Sequence, residues 1–184
     1  EERGEAKDKL IYDYSAKSKR LHSIHQLLKA YTLFQLDDEY NFTPYWSPEF
    51  ITKITSEDRC HLNGMAMENG KPKYASMFNQ GNTRQSWREN ITKTGTIIDV
   101  QTNQVLFDNL AMPHSPKIIH DELYLLQSAN GELIKVNSEQ KTTELIYKFK
   151  GFVRGMAKYG DYLFIGLSKL RQNASIFRDL PIAK

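Results

Sequence analysis

The tripeptide Gly-Met-Ala occurs twice, at residues 64–66 and 155–157, inside the longer segments 61–67 (HLNGMAM) and 152–158 (FVRGMAK), a separation of 91 residues. Between them, residues 112–118 (MPHSPKI) occupy a similar place. Self-similarity at a fixed period marks a repeat architecture, because each repeat is one supersecondary unit that buries its apolar faces against its neighbours. Each of the three segments leads into a turn signal and then an apolar or aromatic run. Asn69-Gly70 precedes residues 72–77, His120-Asp121 precedes 122–127, and Tyr159-Gly160-Asp161 precedes 162–166. Such turn residues supply the positive φ that tight hairpins need. The repeating unit is strand, hairpin, strand.

The middle unit continues furthest. Asn130-Gly131 is a further turn, residues 132–136 (ELIKV) alternate, and residues 143–149 supply a fourth strand. A four-stranded propeller blade takes about 40–45 residues, so the long separation corresponds to two steps. The unequal intervals, 51 residues from Asn63 to His114 and 40 from His114 to Arg154, reconcile if the first unit carries the polar insertion 79–94 (NQGNTRQSWRENITKT). The expected fold is therefore all-β, a β-propeller of four-stranded blades, with a β-sandwich as the alternative. The 184 residues hold about four blades, and the chain begins at Glu1 and stops after an apparent strand, so the expectation is a partial propeller from a longer chain. The domain division is a charged lead-in over residues 1–20 and one domain of blades over 21–184. Within it, Leu21, Ile24, Leu27, Leu28 and Tyr31 have helical spacing but run into the alternating 32–36 (TLFQL), leaving helix or strand open there. Residues 41–49 (NFTPYWSPE), with two prolines among aromatics, read as an edge strand and a loop.

Composition narrows the partners. The net charge is +3 and basic residues are interspersed with acidic ones, so no nucleic-acid partner is implied. No apolar run reaches the eighteen residues that suggest a membrane span. The single cysteine, Cys60, cannot form an intramolecular disulfide, and a cytoplasmic protein is the simplest expectation, although a leader could precede Glu1.

At HLNGMAM, MPHSPKI with the following HDELYLL, and GFVRGMAKYGDYLFIGLSK, the chain resembles a bacterial family of conserved hypothetical proteins. The resemblance extends through NFTPYWSPEFIT, SEDRCHLNG and SWREN, over about Asp37 to Pro181, and implies a propeller-like fold without an assigned reaction or cofactor. More distantly, Asn63-Gly64-Met65-Ala66 is similar to the channel-lining strands of regucalcin and gluconolactonase-type propellers, where the Asn binds a divalent metal. Where those lactonases would carry Asp before Gly in the last repeat, this chain has Arg154, a cation in a cation ligand's place.

In a propeller the first strand of each blade lines the axis, so Asn63, His114 and Arg154 are expected to converge, with Arg59 and His61 close to the first and Ser115 beside the second. Arg grips a carboxylate or phosphate bidentately, while Asn and His give directed hydrogen bonds. These five residues, Arg59, His61, Asn63, His114 and Arg154, are the candidate site for a small polar or anionic ligand, or for a protein partner. The same residues serve equally to bond neighbouring blades in a structural scaffold. The enzyme alternative is a lactonase-type hydrolase or lyase with Asn63 and a histidine at a divalent metal and His114 as acid or base. His22 and His25 would meet only on a helix and lack a third ligand. Cys60 and His61, adjacent on a strand, point to opposite faces, which favours a buried inert thiol over a nucleophile. Trp87 in the polar insertion packs beneath its loop or offers a stacking face. Lys169 and Arg171 would add charge at a rim, and open sheet edges in a partial propeller would favour oligomers.

Overall fold

The computed structural model describes residues 24–27, 31–36, 39, 43–55, 57–170 and 177–183. The expected lead-in over residues 1–20, and His22 and Arg171, lie outside these. The described chain is all-β, with four antiparallel sheets in sequence order. The first contains β1 (Ile24–Leu27), β2 (Thr32–Gln35) and β3 (Thr43–Trp46). The second contains β4 (Gly64–Glu68), β5 (Lys71–Met77), β6 (Gly95–Asp99) and β7 (Val105–Leu110). The third contains β8 (Pro113–Ile119), β9 (Glu122–Gln127), β10 (Glu132–Asn137) and β11 (Thr142–Lys148), and the fourth pairs β12 (Phe152–Tyr159) with β13 (Tyr162–Ser168). Every sheet is a meander in which sequence neighbours pair, most of them through short turns.

The turns are the ones the sequence marks. Asn69 and Gly70 have φ of 50° and 76°, and His120 and Asp121 have 49° and 64°, the left-handed pairs that match the twist of a two-residue hairpin. Residues 24–27 form a strand paired with β2, which decides for a strand in that part of the stretch and puts His25 on it. Pro44 lies in β3, which among the described residues pairs only with β2, the edge position where a missing N–H is tolerated. The insertion 79–94 connects β5 to β6 and contains one 3-10 turn, Ser86–Arg88. The chain does not stop after a strand: beyond β13 the 3-10 turn Pro181–Ala183 follows, and Ile182 N–H donates to the Ala129 carbonyl at 3.3 Å.

Successive sheets share apolar layers. Leu33 joins Leu62, Ala75, Met77 and Ile98 between the first and second sheets. Ala66, Ile97 and Leu110 meet Leu123, Leu125, Ile134 and Val136 between the second and third. Leu126 and Leu133 meet Val153 and Met156 between the third and fourth. β9 and β10 of the third sheet are thus covered on both faces, while β11 is exposed along its whole length, and the double burial is why β9 reads as the almost unbroken run LYLL rather than as alternation. Each fully buried Leu or Ile contributes about 1.5–3 kcal/mol. The first strands of successive sheets also lie together: β4 contacts β8, and β12 contacts β8 and β9. At Gly64 an added Cβ would lie 2.7 Å from Pro116 Cδ and 3.3 Å from the Ser115 nitrogen, so that closeness depends on a residue without a side chain.

Candidate functional site

Asn63, His114 and Arg154 each stand five residues before the end of their first strand, at Glu68, Ile119 and Tyr159. Counted from the hairpins they are equivalent positions, and β4, which Asn63 precedes, and β12, which carries Arg154, both contact β8, which carries His114. A fourth apolar cluster gathers Phe78, Trp87, Met112, Phe152 and Leu180. Polar side chains are set into this cluster.

His61 is the first. Its Nδ1 donates to the Asp58 carboxylate, 2.9 Å from Oδ2 and 3.0 Å from Oδ1, and Trp87 Nε1 donates to the same Oδ2 at 3.1 Å. The imidazole is held between two rings, stacked on Phe78 at 4.5 Å and tilted against Trp87 at 4.4 Å, while the Arg88 guanidinium lies 4.8 Å from the Trp87 ring. Trp87 is 5% exposed, so it packs beneath its loop. Phe78 also meets the edge of His114 at 5.1 Å, and His114 in turn meets Phe152 at 6.2 Å. One aromatic ring therefore separates the two histidines.

His114 is buried, and its protonation is fixed by its partners. Ser128 Oγ donates its one proton to the Val153 carbonyl at 2.6 Å. The 2.7 Å contact between Ser128 Oγ and His114 Nδ1 must then be donated by the imidazole, and the Met112 carbonyl, 3.1 Å from the same nitrogen, also only accepts. Nδ1 carries the proton, and Nε2 keeps its lone pair. Burial pushes the His114 pKa down to about 3, with the positive charge of Arg154 and then His61 adding to the effect and the Met112 carbonyl opposing it. Arg154 and His61 are thus near enough to act on His114 electrostatically. Arg154 is exposed and sits where the β12–β13 ladder breaks, between Val153 and Met156.

Asn63 Oδ1 accepts from Ser76 Oγ at 2.7 Å and its backbone N–H donates to the Ser76 carbonyl at 2.9 Å. Its Nδ2 is buried without a partner. The next residue, Gly64, abuts Ser115 and Pro116, beside His114. Arg59 is used differently: Nε donates to Glu57 Oε2 at 2.8 Å and Nη1 to Asn82 Oδ1 at 2.7 Å, which ties residues 57–59 to the insertion. That hydrogen bond holds the Glu57 carboxyl below the usual carboxylate range.

Sequence reasoning did not single out Phe78 or Ser128, and it reads Asp58 as one of the charged residues of SEDR (56–59) with a place at the channel mouth or a loop-capping role. Asp58 carried a signal in its Asp-x-x-His spacing, whereas nothing local marks Ser128 as a partner of His114. Cys60 is buried and its thiol is pushed up to about 12 by burial, so it is no nucleophile. Among the described residues no group of three or more His, Cys, Asp or Glu is arranged to hold a metal ion, and no helix is long and apolar enough to cross a membrane. A cleft of about 310 Å³ lies elsewhere, lined by Asn130, Lys148, Lys150, Pro181 and Ile182 among others, and it includes none of the five candidate residues.

Comparison with curated proteins finds short likenesses to the protein translocase subunit SecA. The chain is 62% identical over 40 residues to that of Flavobacterium psychrophilum, 22% of this chain and 4% of the relative. It is 60% identical over 40 residues to that of Porphyromonas gingivalis, with the same shares, and 61% identical over 36 residues to that of Bacteroides thetaiotaomicron, 20% of this chain and 3% of the relative. The chain spans only a few hundredths of the length of these relatives, and what a translocase does is not carried over by so short a stretch. A family match, by contrast, covers residues 10–184, almost all of the sequence that holds the four sheets. The chain belongs to the family described as Domain of unknown function (DUF4915).

Proposed function

We propose that the four sheets are successive blades of a propeller, with β4, β8 and β12 as axial strands, and that the domain binds a small polar or anionic ligand at one mouth of the axis. The meander order of each sheet, the shared apolar layers and the closeness of the first strands support the radial arrangement over a sandwich, in which two sheets would share one core. The observation that carries the binding reading is Asn63 Nδ2, a buried donor without a partner, at the position equivalent to His114 and Arg154. Buried polar atoms are nearly always satisfied, and a bound ligand accounts for one left open at this position. His61 and His114 frame the site, Asn63 and Arg154 donate to the ligand, and Arg59 holds the adjoining loop through Glu57 and Asn82. A buried lone thiol at Cys60 fits the reducing cytoplasm.

The lactonase-type alternative asks His114 to act as acid or base. Its lowered pKa suits a neutral acceptor and not a proton donor at neutral pH. Among the described residues no group of three or more His, Cys, Asp or Glu stands beside it.

The test is an amide and side-chain NMR titration of the whole chain with small carboxylates and sugar phosphates. Binding is expected to move the Asn63 side-chain amide and the His114 ring, and Arg154→Gln is expected to weaken it about tenfold, as loss of a charged hydrogen bond does. A titration in which no probe moves these groups would sink the reading.

A further inference from the structure

Resting on the binding reading above, we infer that the ligand carries a hydroxyl to donate to His114 Nε2 as well as an anionic group for Arg154, which makes the hydroxy acids its chemical class. The inference follows from where one proton sits. Ser128 has a single hydroxyl proton and gives it to the Val153 carbonyl at 2.6 Å. The Met112 carbonyl, 3.1 Å from His114 Nδ1, has none to give. Both partners behind the imidazole therefore accept from Nδ1–H, and the ring can offer the ligand only a lone pair. A lone pair repels the oxygens of a bare carboxylate or an oxo group and attracts a hydroxyl.

The neighbours hold this arrangement. The ring is buried between the edge contact to Phe78 at 5.1 Å and Phe152 at 6.2 Å, so it cannot turn over without giving up both hydrogen bonds on its Nδ1 side. Protonation would supply a second donor, but burial and the charge of Arg154 oppose it, so the acceptor character persists well into acid. Arg154 and Asn63 Nδ2, both donors, complement the anion. A site with one fixed acceptor among donors discriminates a substrate hydroxyl from its absence more sharply than an apolar pocket discriminates a methylene, because the unsatisfied acceptor is left buried.

Three probes that differ only at the second carbon test the inference: lactate, propionate and pyruvate, titrated into the whole chain and followed at the Asn63 amide and the His114 ring. Lactate is expected to bind roughly tenfold more tightly than either of the others. Equal affinities for the three would overturn the hydroxyl requirement while leaving an anion-binding site in place. No response to any of them would count against the binding reading itself and take this inference with it. A long-range proton–nitrogen correlation of the His114 ring gives a second, independent reading. It is expected to show Nδ1 protonated and Nε2 bare, and the opposite tautomer would refute the inference whatever the affinities.

Discussion

Asp58 holds His61 from behind, with both carboxylate oxygens within 3.0 Å of Nδ1. Because Trp87 Nε1 shares one of those oxygens, a single side chain from the loop before β4 fixes both the ring that faces His114's neighbour Phe78 and the indole of the insertion. Asp58→Ala leaves two partly buried donors without an acceptor, and is expected to cost about 1–3 kcal/mol. The measurement is a urea unfolding curve, with Trp87 fluorescence shifting toward that of a more solvated indole in the folded baseline. An unchanged midpoint would mean that the pair contributes nothing to the loop.

The burial of His114 makes the stability of the chain depend on pH. Its folded pKa, about 3, lies below the ordinary 6.5. Between those values the unfolded chain binds a proton that the folded chain does not, so stability rises with pH across that window. The contribution is fully present above the ordinary value and is lost as the solution is acidified, by up to about 1.4 kcal/mol per pH unit. Urea midpoints measured from neutral pH down to about pH 4 are expected to fall, and His114→Leu is expected to flatten the slope. If that variant does not fold, the His114 ring resonances of the wild type serve instead, and they are expected to stay constant across the same range.

Gly64 is a test of how closely the first strands approach. An added Cβ there would meet Pro116 Cδ and Ser76 Oγ, each at 2.7 Å. Gly64→Ala is expected to cost about 1–3 kcal/mol through overpacking. Gly70→Ala is the control, since its φ is +76° but nothing lies within 4 Å, and only the backbone cost of about 1–2 kcal/mol applies. The combination of the Gly64 change with His114→Leu is expected to be non-additive, because the two sites share the β4–β8 contact.

What the sequence revealed and what it hid have separate physical causes. Asn69-Gly70, His120-Asp121 and Asn130-Gly131 are local, since a positive φ at a turn depends on the residues in it, so the hairpins and the four-strand unit were legible. The equivalence of Asn63 and Arg154 is read from the repeat itself, since each directly precedes Gly-Met-Ala, and His114 stands in the segment between them. The role of Ser128 was not legible, because it depends on where the Val153 carbonyl falls after three further strands have paired. Arg59 was placed with the site because it is near His61 in sequence, yet its side chain is directed to Glu57 and Asn82 by an insertion whose path no pattern encodes. Residues 24–27 were ambiguous because a short apolar run fits helix and strand alike until β2 offers a partner.

Cys60 offers a check on burial that needs no variant. The thiol is buried and its pKa is pushed up to about 12, so very little thiolate is present at neutral pH and little of the sulfur is reachable. Native protein is expected to give no colour with a disulfide reagent over minutes, and one equivalent after denaturation. Rapid stoichiometric reaction in the native state would mean that the layer formed by Leu33, Leu62 and Met77 opens readily.

The fourth sheet presents apolar side chains that its counterpart covers. Tyr124, third in β9, packs against the cluster containing Val153 and Met156, whereas Phe164, third in β13, is 59% exposed. Tyr162, two residues earlier on the same face of the strand, is also exposed, and among the described residues β13 pairs only with β12. A strand with one unpaired edge and an uncovered apolar face is a site for association with another copy. Sedimentation velocity is expected to show a species that grows with protein concentration, and Phe164→Lys is expected to return it to the monomer with little change in the unfolding midpoint. A wild-type chain that stays monomeric up to about 100 μM would remove self-association as the fate of this strand, since specific protein contacts of ordinary size are populated well below that concentration.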